Sequence, residues 1–422
     1  MVDLPLPPAD DPAGTAAWVQ EHLGDLIRDR AAPSPAFRGG QRAADAALDA
    51  FDVAGYARRR SEVWPPERRG ASRLSPYIRH GLIDLPRAWD AVAGGPSRDV
   101  GRFRDELLWQ EYARHLYARL GARFGRALRA EPPASRGGGA AEPWDRGMAC
   151  MDLTVGELER DGWLVNQTRM WLASQWSVRH GRDWREGERR FFAHLLDGSR
   201  AANLLGWQWT VGTATGRPYG FSRWQVRKRA PGLCATCALA ERCPIEGWPP
   251  DAHPRRIAAP AALRSDPDPG ATAGPSRPSS NWAKARGPIG PPAQPEAVWL
   301  TAESLGDADP ALAAHPGLPA VFVFDAPMLA RMRLSGTRLV FLAETLADLA
   351  SRRPVRLTRG DPREDLAGVR LAVTHAPVPG FRRRAAALAP VLVHPWPWLR
   401  IPHGGPAGSY SAWIRAARRG EG

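Results

Sequence analysis

Residues 196–209 read LDGSRAANLLGWQW. One short segment combines an acid at Asp197, an amide at Asn203, a bare Gly206 and indoles at Trp207 and Trp209, with no strand alternation. A tryptophan-rich buried helix with a polar cap could look like this, but burial alone does not call for the combination. A flat aromatic ligand does: an amide can hydrogen-bond a heteroatom on a ring edge, and indoles give planar surface that stacks or yields an electron.

Working outward, residues 152–179 read as helix, short break and helix, and Asn166, Arg169 and Met170 share one face of the second helix at spacings i, i+3 and i+4. A buried arginine needs an anionic partner, and Asp197 is the obvious one. Residues 102–120, RFRDELLWQEYARHLYARL, have helical periodicity that puts Glu106 and Trp109 on a common face. An acid and an indole side by side suit a pocket for a nucleobase, and a helix interface with a surface glutamate is the plainer alternative. Residues 71–92 begin ASRLSPYIRHG, where Ser72, Arg73, Leu74 and Ser75 stand just before a helix and offer hydroxyl, guanidinium and backbone donors to a phosphate. Any helix cap shows such residues, so the motif is weak alone.

Cys234, Cys237 and Cys243 form a CxxC with a third thiol six residues on, followed by Pro244. Three thiols so close signal a metal, and the fourth ligand would be Cys150, the only other cysteine. Four thiolates fit either a [4Fe-4S] cluster or a structural zinc. Four cysteines in 422 residues are too few for a secreted disulfide framework, and no apolar run reaches the length of a membrane helix. A basic start followed by an apolar core is missing from the first residues, so the expectation is a cytoplasmic protein. The net charge of +14 comes almost wholly from arginine, the lysines being Lys228 and Lys284 alone. Arginine suits bidentate phosphate contacts, which makes DNA a plausible partner, although a GC-rich genome would enrich it as well.

The expected organisation is an N-terminal extension (1–36) with one helix near 15–28, an all-helical unit (37–250), a Pro/Ala/Gly-rich linker (251–295) and a small α/β domain (296–422). In the last, short apolar runs at 297–300, 320–324, 355–358, 369–374 and 391–394 alternate with helix-like stretches such as 338–350, the pattern of a parallel, Rossmann-like sheet. Glycines at 137–139 mark a loop.

The motif at 196–209 resembles the FAD-binding core of the photolyase and cryptochrome family, DGDxAxNxxGWQW, and the other segments fall in that family's order. The resemblance implies a helical FAD-binding domain with non-covalent FAD. Ser72, Arg73, Leu74 and Ser75 match the segment that holds the pyrophosphate, and Tyr56 matches a phosphate-contacting tyrosine. Asn166 and Arg169 match the segment beside the isoalloxazine, where the arginine pairs with Asp197. Asn203 matches the asparagine at flavin N5, and Ser199 stands where the family has a second Asp. Glu106, Trp109, Met170 and Trp209 match the pocket for a flipped-out pyrimidine dimer, Met170 favouring the cyclobutane lesion. Trp207 and Trp184 match two members of the electron-transfer chain, whose distal member has no counterpart at 130–143, leaving Trp171 or Trp176 as substitutes. Gln110 and Ala71 depart from the family's Arg and Thr. The cysteine layout resembles the iron-sulfur bacterial branch, which implies a [4Fe-4S] cluster on Cys150, Cys234, Cys237 and Cys243. The α/β part resembles the family's antenna domain moved from first to last, and no motif identifies an antenna chromophore. The implied function is light-driven repair of damaged DNA, single- or double-stranded; the alternative is a cryptochrome-type blue-light receptor without repair.

Overall fold

The structure is a computed structural model that describes residues 2–133, 142–249, 253–274 and 294–419. The glycine loop at 137–139 and Lys284 lie outside them. The first strand, β1 (Val2–Leu4), and the first helix, α1 (Pro12–Leu23), are followed by a helical series: α2 (Gln41–Asp49), α3 (Tyr56–Arg59), α4 (Ser75–Arg79), α5 (Leu85–Ala91) and the long α6 (Ser97–Leu120). After β2 (Ala130–Glu131) come α7 (Ala149–Asp161), α8 (Asn166–Ala173) running into a π-helical turn at Ser174–Arg179, α9 (Trp184–His194), α10 (Ala202–Thr210) and α11 (Arg223–Arg229). Then follow β3 (Arg255–Arg256), α12 (Pro269–Ala273), β4 (Ala297–Leu300), α13 (Pro310–Ala314), β5 (Ala320–Asp325), α14 (Ala326–Met332) and α15 (Gly336–Ala350). The chain ends with β6 (Val355–Gly360), α16 (Pro362–Asp365), β7 (Leu371–Thr374), α17 (Phe381–Leu388), β8 (Leu392–His394) and α18 (Tyr410–Arg419).

The expected α/β alternation forms a six-stranded sheet of order β1-β6-β5-β4-β7-β8, parallel throughout except for β1. Strands β4, β5 and β7 are buried along their whole length, which is why they read as unbroken apolar runs. Most of α15 is buried too, because one side lies on the sheet and another reaches the helical unit. Arg338 of α15 donates to the carbonyls of Phe192 and, at 2.8 Å, Gly198, the residue after Asp197. Burial, and then the neighbouring Arg79 and Arg200, push that guanidinium down to about 9.

Packing crosses the expected boundaries at three places. The stretch expected as an N-terminal extension supplies β1, which pairs antiparallel along β6 and covers that sheet edge, and α1, which packs on α15. In the described part of the expected linker, Arg255–Arg256 pairs with Ala130–Glu131, and Leu263 and Thr272 are buried. These anchors are single residues between short turns, so no periodicity announces them. Beyond β8 the chain leaves the sheet and returns to α6: Leu399 and Arg400 donate backbone N–H groups to Glu111, and Trp413 of α18 is fully buried, giving its indole N–H to His115 at 2.8 Å. Among the described residues no helix is long and apolar enough to cross a membrane.

Candidate functional site

Arg169 on α8 and Asp197 in the turn before α10 form a two-pronged ion pair, Nη1–Oδ1 3.1 Å and Nη2–Oδ2 2.6 Å, with Asp197 buried. The Asp197–Ser199 turn is braced from the other side by Arg79, whose Nε donates to Gly198 O at 2.7 Å, and by Arg338. Asn203 lies one turn into the same segment, its backbone N–H on Ser199 O at 3.0 Å. Its side chain is buried and the Nδ2 amide has no hydrogen-bond acceptor among the described residues. A buried amide donor left without a partner costs about 1 to 3 kcal/mol, which an acceptor supplied from outside the chain would relieve. Ser199 turns its hydroxyl to the start of α10 instead, accepting from Ala201 N at 3.2 Å and Ala202 N at 3.4 Å.

The residues expected at a pyrophosphate are arranged less simply. Arg73 has a left-handed backbone, φ 60°, and its guanidinium lies over the rings of Phe37 and Trp163 at 4.8 and 5.6 Å. Ser75 accepts the Trp163 indole N–H at 2.9 Å, Ser72 accepts from Leu74 N at 3.5 Å, and Leu74 is fully buried. Tyr56 is directed to Glu106, donating its hydroxyl at 2.6 Å, and Arg60 pairs with the other carboxylate oxygen. Burial, and then the Glu106 charge, hold the Tyr56 phenol well above its ordinary range. Tyr56, expected on a cofactor phosphate, and Glu106, expected on the lesion, are therefore brought together. Asn166, at the start of α8, is exposed, and Met170 is half-buried.

Trp109 and Trp209 are both about two-fifths exposed, unusual for indoles and suited to stacking from solvent. Behind Trp109 lies Tyr410 of α18, stacked at 4.3 Å and 10°, with its hydroxyl on Asp105 at 2.7 Å. Trp207 and Trp184 are buried and neither indole N–H finds an acceptor among the described residues. Trp207 and Trp176 both lie against Gly187: an added Cβ would stand 2.4 Å from Cη2 of Trp207 and 2.9 Å from Cδ1 of Trp176, so both rings crowd onto the bare backbone. Trp176 in turn packs edge-on against Trp144 at 5.0 Å. Trp171, the other substitute considered, stacks on Phe221 at 5.3 Å.

Cys150, Cys234, Cys237 and Cys243 line one cavity, closed by Met148, Leu233 and Ile245. Burial, and then the neighbouring thiols, push Cys150 up to about 12. All four are free of disulfides, and among the described residues no three metal-binding side chains are gathered around a single point. A larger cavity of about 560 Å³ opens between the end of α6, helices α9 and α10 and the loop after β7. Its lining includes Arg185, Arg189, Arg200 and Arg383 against the single carboxylate of Glu188.

Arg60, Arg338, Tyr410 and Trp144 were not expected at the site. Only Trp144 carried a signal, the number of tryptophans; the others depend on contacts between segments far apart in sequence.

Residues 103–227 match the family described as the FAD binding domain of DNA photolyase. Deoxyribodipyrimidine photo-lyases of Thermus thermophilus and Escherichia coli are 34% and 32% identical to this chain over 223 and 173 residues. The first match covers 49% of this chain and 50% of the relative, the second 36% and 34%. The chain thus spans half the length, or less, of these curated relatives. Among solved structures, the class III photolyase of Agrobacterium tumefaciens matches at 29% identity and TM-score 0.35, covering 40% of this chain and 37% of that one. An archaeal photolyase from Sulfolobus tokodaii with two FAD molecules matches at 25% identity and TM-score 0.41, covering 51% and 53%. Over these residues the chain is similar to the photolyase and cryptochrome family.

Proposed function

We propose that this protein binds FAD without a covalent link and uses it for light-driven repair of a pyrimidine dimer in DNA, the cyclobutane lesion before the (6-4) one. The observation that carries the reading is the Arg169–Asp197 pair with the unmatched Asn203 amide one turn away, inside the segment that matches the FAD-binding family. Arg169, Asp197, Ser199 and Asn203 would hold the ring end of the cofactor, and Ser72, Arg73 and Ser75 its phosphates. The cofactor, once bound and reduced, would contribute light-driven one-electron chemistry toward the dimer. Trp109 and Trp209 would stack on the flipped-out bases, with Tyr410 fixing the plane of Trp109 from behind. Asn203 offers an N–H and no acidic proton, so it can steady an electron-rich ring without protonating it. Trp207 would pass oxidising equivalents outward, and its approach to Trp176 over Gly187, with Trp144 beyond, supports that branch alongside Trp184.

The four thiols would hold a [4Fe-4S] cluster. Four thiols lining one cavity suit either a cluster or a lone zinc, and the Cys-Pro ending and the spacing of the cysteines carry the preference for the cluster. Zinc without iron or sulfide in anaerobically prepared protein would reverse this assignment. The basic cavity beside β7 is at the carboxyl end of a parallel strand, where α/β folds take ligands, and an antenna pigment would belong there.

One observation favours the receptor reading: Glu106 is already satisfied by Tyr56 and Arg60 and must be released before it can touch a lesion. The deciding experiment illuminates chemically reduced protein with single-stranded DNA carrying a cyclobutane dimer. Restored thymines support repair. Unchanged cyclobutane and (6-4) lesions, with flavin photoreduction intact, establish the receptor.

A further inference from the structure

Seven large apolar side chains are markedly exposed among the described residues, and four of them are the tryptophans 109, 209, 224 and 248. Trp224 and Trp248, 57% and 59% exposed, play no part in the site described above. Exposed indoles are costly to leave in water unless a partner covers them.

They are connected to Trp209. Its ring lies 5.7 Å from Tyr219, tilted by 37°. The next residue is Gly220, and an added Cβ there would stand 2.6 Å from Cε3 of Trp248, so the Trp248 ring rests directly on a backbone kept bare for it. Gln225 ties the following helix to the same point, donating Nε2 to Gly220 O at 3.1 Å. That helix, α11, carries Trp224 on its solvent side with the Lys228 ammonium 4.6 Å above the ring. Arg217 and Arg227 are exposed and form no ion pair among the described residues, while Arg223 and Arg229 are matched by Glu246 and Glu62. Exposed aromatic faces close to cations that form no ion pair among the described residues are the two elements that bind a single nucleic-acid strand without sequence preference.

We propose that Trp209, Tyr219, Trp248 and Trp224, with Arg217, Arg227 and Lys228, form a stacking track for single-stranded DNA leading away from the lesion pocket. The proposal rests on the repair reading for its direction, but the track itself needs no lesion. It takes a strand whose bases are unpaired, since a duplex hides the faces that the indoles require.

The test measures fluorescence anisotropy of labelled oligothymidylate, undamaged or carrying one dimer, with the full chain and with Trp224→Ala, Trp248→Ala and Arg227→Gln. Both tryptophans are exposed, so thermal melting of these variants should match the parent. Each tryptophan variant should weaken undamaged-strand binding about five- to tenfold or more. Arg227→Gln should lower the slope of log affinity against log salt by about 0.7. Undamaged-strand affinity unchanged in both tryptophan variants overturns the track, and a simultaneous loss of self-association would assign the indoles to a protein contact instead. The ratio of damaged to undamaged affinity reports separately on the repair reading. A parent without that preference, whose variants still lose undamaged binding, keeps the track and removes the repair reading.

Discussion

Replacing Arg169 with Ala strips Asp197 of its main counter-charge while leaving it buried. Removing one partner of a buried ion pair typically costs about 3 to 5 kcal/mol, because the remaining charge stays desolvated. Two features place this case at the lower end. The Arg169 side chain is about one-fifth exposed, and the buried Arg338 still lends Asp197 a favourable field. A loss of about 3 kcal/mol should lower the urea midpoint by about 1 to 1.5 M, taking a slope of about 2 to 3 kcal/mol per molar. Flavin absorbance after gel filtration should fall in parallel. Arg169→Ala combined with Asp197→Asn should recover most of the stability but not the flavin, since a neutral amide needs no counter-charge yet cannot restore the site. A single variant that unfolds within about 0.5 kcal/mol of the parent would refute the reasoning. So would a double variant no more stable than the single.

Gly187→Ala drives a methyl into Trp207 and Trp176, and overpacking of this kind should cost about 1 to 3 kcal/mol in thermal unfolding, with altered tryptophan emission. Trp176→Phe keeps an aromatic ring but removes the redox-active indole and its N–H bond to Asp183 O; flavin photoreduction should slow severalfold while pre-reduced protein repairs normally, and an unchanged rate would leave Trp184 as the sole outward branch. Asp309 is wholly buried, accepts from Thr374 Oγ1 at 2.8 Å, and burial pushes it up to about 7. Its folded state therefore holds a proton that the unfolded chain loses near 4, so stability should fall as pH rises from about 4 to 7 and level off above; Asp309→Asn should flatten that slope in melting curves. Cys237→Ala should lower bound iron and sulfide together and reduce thermal stability, because the thiols tie residues 234–243 to α7; iron retained at four per chain would remove Cys237 from the ligand set.

Much of the site was legible because its chemistry is packed into short segments. Residues 196–209 put an acid, an amide and two indoles within one helix and its cap, and Arg169 was identifiable as the partner of Asp197 because few buried cations can stand without one. The parallel sheet was legible for a similar reason: strands buried on both faces leave apolar runs that no other element needs. Tyr56 was assigned to a phosphate and is found on Glu106, since a hydroxyl in sequence does not say which of several acceptors it will meet.

What the sequence by itself determined is the set of local elements, the parallel α/β alternation and the pairing of opposite charges inside one motif, all set by spacing and by the need to satisfy buried groups. Only the tertiary structure decided that β1 closes the sheet edge, that Arg338 braces the turn after Asp197, that Tyr410 backs Trp109 and that Trp176 and Trp207 crowd onto the same bare Gly187. Each of these joins segments separated by tens to hundreds of residues. Periodicity reports which side of an element is buried and is silent about what lies against it, so contacts of that range are fixed by the packing of whole layers and not by any local pattern.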